Sequence, residues 1–552
     1  MSTSSTPAPG AVQVTNFALP PPTASNGYGT IPTHETPTTK PTSTSTRVLA
    51  PDLLRGLILP LMSLDHAALF MGAWLHGTPE QSESAGTIFT RWNFNAAYIS
   101  RTVTHLCAPG FFFLMGMGTV YFHRSRAKLG WGRGRMTRHF VVRALALTAV
   151  NEVMGLTLMW GRHFWLINIV LIGLAVDYLL TGLLCLVVDG TERSVAGAID
   201  GMLVKAGKGS DDAARRPLLA NGGSAAAEEQ RGHSNGNGTT AATPVASARA
   251  QTLSFWLHNF VLAVLTYITI FWNVWLSPSG GHCSATSAQP SSFSQSPIEL
   301  LALAPSSVST MAEQPPSPPG SRFGPWFDFW FYSVQNKRVM SGFPPLAWIS
   351  FCIFGMLYAR VMLYKRWTPR AVVAWNLGVG VVLAALFVGT RVLHFGNLSE
   401  GCLRMPEQLA HPERNQYLVS IKSFFYITKY PPSPAFFFLT MSVNFALLAL
   451  FSAIPPAVAT AIPGLMNFGG SALFFYVAHM YLYFLLAIPA RYFFEHDLPD
   501  TPPNAWERTK GLGASAPFWI TWIAGLFILS PMCRAYGRFK AAQSADSLWR
   551  FF

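Results

Sequence analysis

The chain has 552 residues, 50% of them hydrophobic and 13% aromatic, and only 12% are Asp, Glu, Lys or Arg, about half the share usual in a soluble domain. That balance excludes a purely water-soluble enzyme. The 39 basic residues against 25 acidic ones, a formal net charge of +14, do not form the basic stripe with interleaved aromatics of a nucleic-acid binder, and no nucleic-acid partner is expected. They sit between long apolar runs, where charges act as topology signals.

Residues 1–46 are rich in Pro, Thr, Ser and Gly and lack the apolar core of a signal peptide, so they read as a disordered tail. From position 47 the hydropathy predicts an all-α fold, a polytopic bundle of ten transmembrane helices, each near the ~20 residues that cross a hydrocarbon core. The first four fall within 47–188, at 48–74, 102–122, 139–160 and 164–188. The other six fall within 253–541, at 253–276, 344–364, 370–393, 434–453, 468–488 and 517–537. Two inserts interrupt them: 189–252, rich in Gly, Ala, Ser and Asn, and 277–343, Ser- and Pro-rich through position 322. Neither low-complexity stretch has the periodicity to bury a core, and both are expected to be linkers. Residues 542–552 form a short tail.

Orientation follows from Lys and Arg in the short loops. Arg124, Arg126, Lys128, Arg133, Arg135 and Arg138 crowd the loop after the second span with no acid among them, which places that loop in the cytoplasm. Lys365, Arg366 and Arg370, then Arg534, Arg538 and Lys540, agree when the spans alternate, so both termini are expected in the cytoplasm. The membrane would be vacuolar, lysosome-like or the plasma membrane. The sequon Asn397-Leu398-Ser399 then lies on the far side, where a glycan acceptor must be, and the one at Asn237 does not. Cys283 and Cys402 share that far side and either bridge or stay unpaired loop thiols. Cys107, Cys185, Cys352 and Cys533 fall in or beside apolar runs as small hydrophobes, and no Cys/His spacing suggests a metal.

Ionisable side chains within spans cost at least ~2.5 to 3.5 kcal/mol on insertion scales and are functional candidates for that reason. In the first span Asp52 and Arg55, three apart, can pair on one face. His66, beside Asp65, returns to within about 20° of Arg55 at 3.6 residues per turn. The second span carries Arg101 and His105 at an i, i+4 spacing on one face. Pro109 removes the helical donor for the His105 carbonyl, which predicts a kink there, while Gly116 and Gly118 predict a close helix seam. Asn151, Glu152, Asp177, Arg391, His394 and His479 are the other intramembrane candidates. A structural ion pair and core histidines would account for the same residues. His76, just beyond the first span, reads as a solvated loop histidine or as a general base with a pKa near neutrality.

Taken together, Asp52-Leu-Leu-Arg-Gly-Leu, Leu64-Asp65-His66, Thr104-His105-Leu-Cys-Ala-Pro109, Gly342-Phe-Pro-Pro-Leu-Ala-Trp348, Ile427-Thr-Lys429-Tyr-Pro-Pro-Ser433 and Tyr476-Val-Ala-His479 resemble the heparan-alpha-glucosaminide N-acetyltransferase catalytic-domain family. The likeness is greatest to its bacterial and fungal branch of multi-spanning proteins, and runs from about residue 47 to about 540. It implies a membrane-bound acyltransferase that takes acetyl-CoA from the cytoplasm and delivers acetyl to an acceptor on the far side. In the lysosomal member the acceptor is the terminal glucosamine of heparan sulfate, and a histidine after the Arg-Gly span is catalytic. Aligning Asp52, Arg55-Gly56 and Met62 brings His76 to within one residue of that position. His66 stands where that member has an asparagine, which keeps His66, with Asp65, and His105 as alternative bases.

Acetyl transfer from a thioester needs a base for the acceptor proton and a donor for the oxyanion of the tetrahedral intermediate. An acetyl-histidine relay is the other route. Asp52, Arg55, Arg101, Arg143 and His479 are expected to bind substrate or cofactor, Arg55 and Arg143 meeting the CoA phosphates. The acceptor is expected to be an amino sugar or related glycan, or a lipid head group, and a homo-oligomer is compatible with all of this. A transporter using the same buried groups is the competing reading; the first span's Asp-Arg-Gly and Asp-His elements have no counterpart in the second half, which favours the enzyme.

Overall fold

The apolar runs fold as helices because a backbone in hydrocarbon must satisfy its own hydrogen bonds. A computed structural model describes residues 49–74, 83–159, 165–214, 247–283, 324–335, 338–460, 462–498, 510–544, 547 and 549. Among the described residues, 10 helical segments are long and apolar enough to cross a membrane. The protein is an integral, multi-pass membrane protein of all-α class.

In chain order the principal helices are α1 (Ala50–Met71), α2 (Asn95–Thr104), α3 (Cys107–Lys128), α4 (Arg133–Leu158), α5 (Leu171–Ala214) and α6 (Ala248–Trp275). They continue with α7 (Ile349–Tyr364), α8 (Pro369–Val392), α9 (Ile421–Phe425), α10 (Pro434–Ala453), α11 (Pro463–Gly470), α12 (Ala472–Phe494) and α13 (Ala516–Ala542). Helix α1 is the centre of the bundle: 78% of its most apolar window is buried, against 22% for α8 and for α13. It packs on α3, α10, α11 and α12.

Close approach on α1 is backbone on backbone. A Cβ at Gly56 would strike the Leu465 carbonyl, and one at Gly469 the carbonyl of Asp52. A second such seam joins α3 to α7, where Gly116 meets the Cys352 carbonyl and Gly355 that of Phe113. Gly118, expected to share that seam, faces open space instead. It lies two residues from Gly116, too far round the helix to meet the same neighbour.

The ordered connections after spans one, three, five, seven and nine are tied together at one end of the bundle. Ser84 bridges Tyr430, Phe89 bridges Leu403, and His282 bridges Glu400. β1 (Leu166–Asn168) runs parallel to β3 (Val339–Ser341), which pairs antiparallel with β2 (Val334–Gln335). The Phe343 and Tyr430 rings, with centroids 5.8 Å apart, join that sheet to the 83–94 and 395–433 connections. β4 (His496–Asp497) and β5 (Lys510–Gly511) form a ribbon that touches the end of α1, where Gly72 takes a φ of 63° to close the helix.

Cys283 and Cys402 are joined by a disulfide spanning 119 residues, and Cys107, Cys185, Cys352 and Cys533 are free and buried. Non-reducing peptide mapping is expected to recover one Cys283–Cys402 peptide, and Cys402→Ser to lower stability by about 2–5 kcal/mol. Recovery of both peptides alkylated from unreduced protein would remove this tie.

Several helix ends differ by a few residues from the sequence reading, and two of the differences have a visible cause. Helix α5 runs on into the first insert through Ala214, favoured there by an Asp189–Arg193 pair at 2.8 Å and a Glu192–Arg360 pair at 2.7 Å. The predicted start of the fourth span is taken by β1, whose Ile167 carbonyl accepts from Asn151 Nδ2 and whose Ile167 amide donates to Glu152 at 3.4 Å. The sequon residue Asn397 is buried, its Nδ2 donating to the Thr390 carbonyl at 3.0 Å and Glu400 Oε1 at 2.6 Å. That amide is used inside the fold. Asn237 lies outside the described residues.

Candidate functional site

The second span breaks where Pro109 requires it. Helix α2 ends at Thr104, His105 and Leu106 form a turn, and α3 restarts at Cys107. The break turns Arg101 and His105 toward the connection that follows α1. Arg101 forks between two carboxylates, Nη1 donating to Asp65 Oδ2 at 2.7 Å and Nη2 to Glu83 Oε2 at 2.8 Å. Its Nε donates to Glu83 at 3.0 and 3.2 Å. His105 Nε2 lies 3.1 Å from Glu83 Oε2. All four side chains are buried, Arg101 to 2% exposure.

Glu83 sits outside the spans and is the hub. Burial alone would raise its carboxyl, but the charge of Arg101 and the hydrogen bonds from Arg101 and His105 outweigh burial and hold it well below the usual carboxylate range. An ionised Glu83 only accepts, so a neutral His105 donates from Nε2 and carries its lone pair on Nδ1. That Nδ1 is buried and, among the described residues, has no hydrogen-bond partner. The Glu83 carbonyl accepts from the amides of Lys429 and Tyr430, each at 3.1 Å. Lys429 is itself buried, its Nζ 5.7 Å from the Phe343 ring centroid and 5.2 Å from that of Tyr430. Ser433 then caps α10 by accepting from the Phe436 amide at 3.1 Å, with Pro434 beginning the helix.

Consecutive helical residues do not face the same way, so Asp65 turns to α2 while His66 turns to α12. His66 Nδ1 and His479 Nε2 are 2.7 Å apart, and both rings are buried. His479 Nδ1 donates to the Phe475 carbonyl at 2.8 Å. With both rings neutral, His479 Nε2 is the acceptor and His66 Nδ1 the donor, which puts the His66 lone pair on Nε2.

A narrow recess of about 10 Å³, room for about one water molecule, is lined by Glu83, Trp92, Tyr98, Arg101, His105 and Tyr426 among others. Segments far apart in sequence therefore meet here: Asp65 from α1, Arg101 and His105 from the broken second span, and Glu83 held by the Lys429–Tyr430 backbone. No protein-family model and no curated protein matches the chain.

The remaining candidates occupy other places. Asp52 and Arg55 pair at 3.1 Å, and Arg55 also reaches the Gly469 carbonyl at 3.5 Å. Arg143 lies over the Tyr178 ring at 5.0 Å, between α4 and α5, so it and Arg55 belong to different helix pairs. Arg391 is buried between the rings of Phe387 and Tyr417 at 4.9 and 4.3 Å, and His394 Nδ1 is 3.0 Å from Glu400 Oε2. Asp177 is fully buried, and among the described residues neither carboxyl oxygen has a hydrogen-bond partner. His76 lies outside the described residues. Sequence reasoning missed Glu83 and gave Lys429 no role; the signal for Glu83 was an acid in a short connection facing a pair of basic side chains one helix turn apart.

Proposed function

We propose that the protein is a membrane-bound acyltransferase that moves an acetyl group from acetyl-CoA to an amine or hydroxyl acceptor, an amino sugar or related glycan being the acceptor class the family resemblance suggests. The observation that carries this reading is His105: a carboxylate orients its Nε2–H, and its Nδ1 is left as an unpartnered base beside a recess. A base oriented by a carboxylate is what acyl transfer requires. The acceptor heteroatom bonds to the thioester carbonyl carbon while its proton passes to His105 Nδ1. The carbon–sulfur bond then breaks, and the proton goes on to the departing thiolate. Lys429 supplies the positive charge for the oxyanion, and Arg101 positions Glu83. Acetyl-CoA would arrive from the cytoplasm, with Arg55, 28% exposed, at the CoA phosphates. The basic loops, Arg124 to Arg138 among them, support a cytoplasmic side for both termini.

The unpartnered carboxyl of Asp177 favours a second reading, a transporter with a proton site in the membrane. The two separate in one experiment. Purified protein in detergent receives labelled acetyl-CoA and a panel of amino sugars and aminolipids, and label is expected in an acceptor with Asp177→Asn still active. Label in no acceptor, together with substrate flux in vesicles that Asp177→Asn abolishes, would replace the enzyme with the transporter.

A further inference from the structure

The recess at His105 has a wider neighbour. Helices α2 and α9 wall an open groove of about 400 Å³, lined by Ile99, Val103, Ile421 and the ring of Phe425. Tyr98, Thr102 and Phe425 line both cavities, so groove and recess share one wall. Ile99 is 61% exposed and Ile421 79% exposed. In water such an apolar strip would be costly, and α2 belongs to Asn95–Lys128, a helical segment long and apolar enough to cross a membrane. The groove's rim is polar: the Tyr98 hydroxyl donates to the Lys422 carbonyl at 2.6 Å, and Lys422 Nζ lies 5.7 Å from the Tyr98 ring centroid.

An apolar trough beside a polar slot about one water wide, with Tyr98, Thr102 and Phe425 between them, matches one kind of molecule. We propose that the acceptor is a membrane lipid, its alkyl chain in the α2–α9 groove and its amine or hydroxyl head directed through the shared wall to His105. This rests on the acyltransferase reading and names its acceptor class. An amine or hydroxyl enters a slot of about 10 Å³, whereas a sugar ring is several waters in size. The balance is that of the transfer above: a heteroatom–carbon bond forms on the lipid head, the thioester carbon–sulfur bond breaks, and the products are acetylated lipid and free CoA thiol.

The test uses the full chain in lipid nanodiscs with labelled acetyl-CoA, offered a long-chain amine and, in parallel, glucosamine. Label is expected in the long-chain amine. Ile99→Trp and Ile421→Trp, which fill the groove from exposed positions, are each expected to raise KM for the amine about tenfold or more with kcat little changed. Val381→Trp, on the exposed face of α8, is expected to leave KM as it was. A diazirine-bearing long-chain amine should crosslink to the peptides carrying Ile99 or Ile421 without any turnover. Label in glucosamine and not in the amine would overturn the lipid acceptor and leave the acyltransferase standing. Label in the amine with KM unmoved in both groove variants and no crosslink there would overturn the groove. Wild type labelling neither acceptor, nor any other of the wider panel, would remove the acyltransferase itself and this inference with it.

Discussion

His105→Gln is expected to lower acetyl transfer about 10²- to 10⁴-fold while the protein elutes and melts as wild type does. Glutamine keeps an N–H that can reach Glu83, so the buried carboxylate stays partnered, but it has no nitrogen that takes a proton. Loss of rate without loss of fold separates a base from a core histidine that merely fills space. Glu83→Gln leaves the imidazole in place and removes the group that fixes its tautomer, and its kcat should fall less than that of His105→Gln. His66→Gln and His76→Ala complete the set. The His66–His479 pair is 2.7 Å apart, buried, and turned to α12 rather than to α2, so its loss is expected to act on stability more than on rate. Wild-type turnover in His105→Gln, with His76→Ala inactive, would move the base to His76 and defeat the assignment made from Glu83.

Much of this architecture was legible because the bilayer imposes a simple rule. Long apolar runs between charged loops have one solution, so ten spans, the kink before Pro109 and the Asp52–Arg55 pair could be read from local spacing alone. The Arg101 and His105 spacing also identified one helical face correctly. Its hub was not legible, because Glu83 gains its role from a backbone bridge to Lys429 and Tyr430, more than 340 residues away. The same holds for His66 and His479, 413 residues apart, each visible as an isolated polar group and neither naming its partner. The small sheet was missed for a different reason: strands of two or three residues carry no alternation to detect. The extension of α5 escaped because Gly, Ala and Ser in that stretch resemble a linker, while the ion pairs that support the helix include one to Arg360 on α7.

Arg101→Met is expected to destabilise the protein by about 3–5 kcal/mol. The substitution keeps most of the volume and removes the guanidinium that bridges Asp65 and Glu83, leaving both buried carboxylates without it. Arg55→Met is the contrast, since Asp52 and Arg55 are partly exposed at 11% and 28%, and an exposed pair is worth about 0–1 kcal/mol. The difference between wild type and Arg101→Met should also depend on pH in a defined direction. In wild type the folded Glu83 carboxyl lies well below its ordinary value, because Arg101 and His105 outweigh the burial that would raise it. The stability it contributes is therefore present above the ordinary carboxylate range and drains away as pH falls toward the lowered value. Without Arg101, burial dominates and the folded carboxyl rises above its unfolded value, so the variant is penalised at neutral pH and relieved when the group protonates. Thermal unfolding in detergent from neutral pH down to about pH 4, the ordinary carboxylate range, should show the gap in Tm narrowing with acid. A gap that stays constant across that interval, or a variant as stable as Arg55→Met, would mean that Glu83 is not held as an ion by Arg101, and the tautomer assigned to His105 would lose its physical basis.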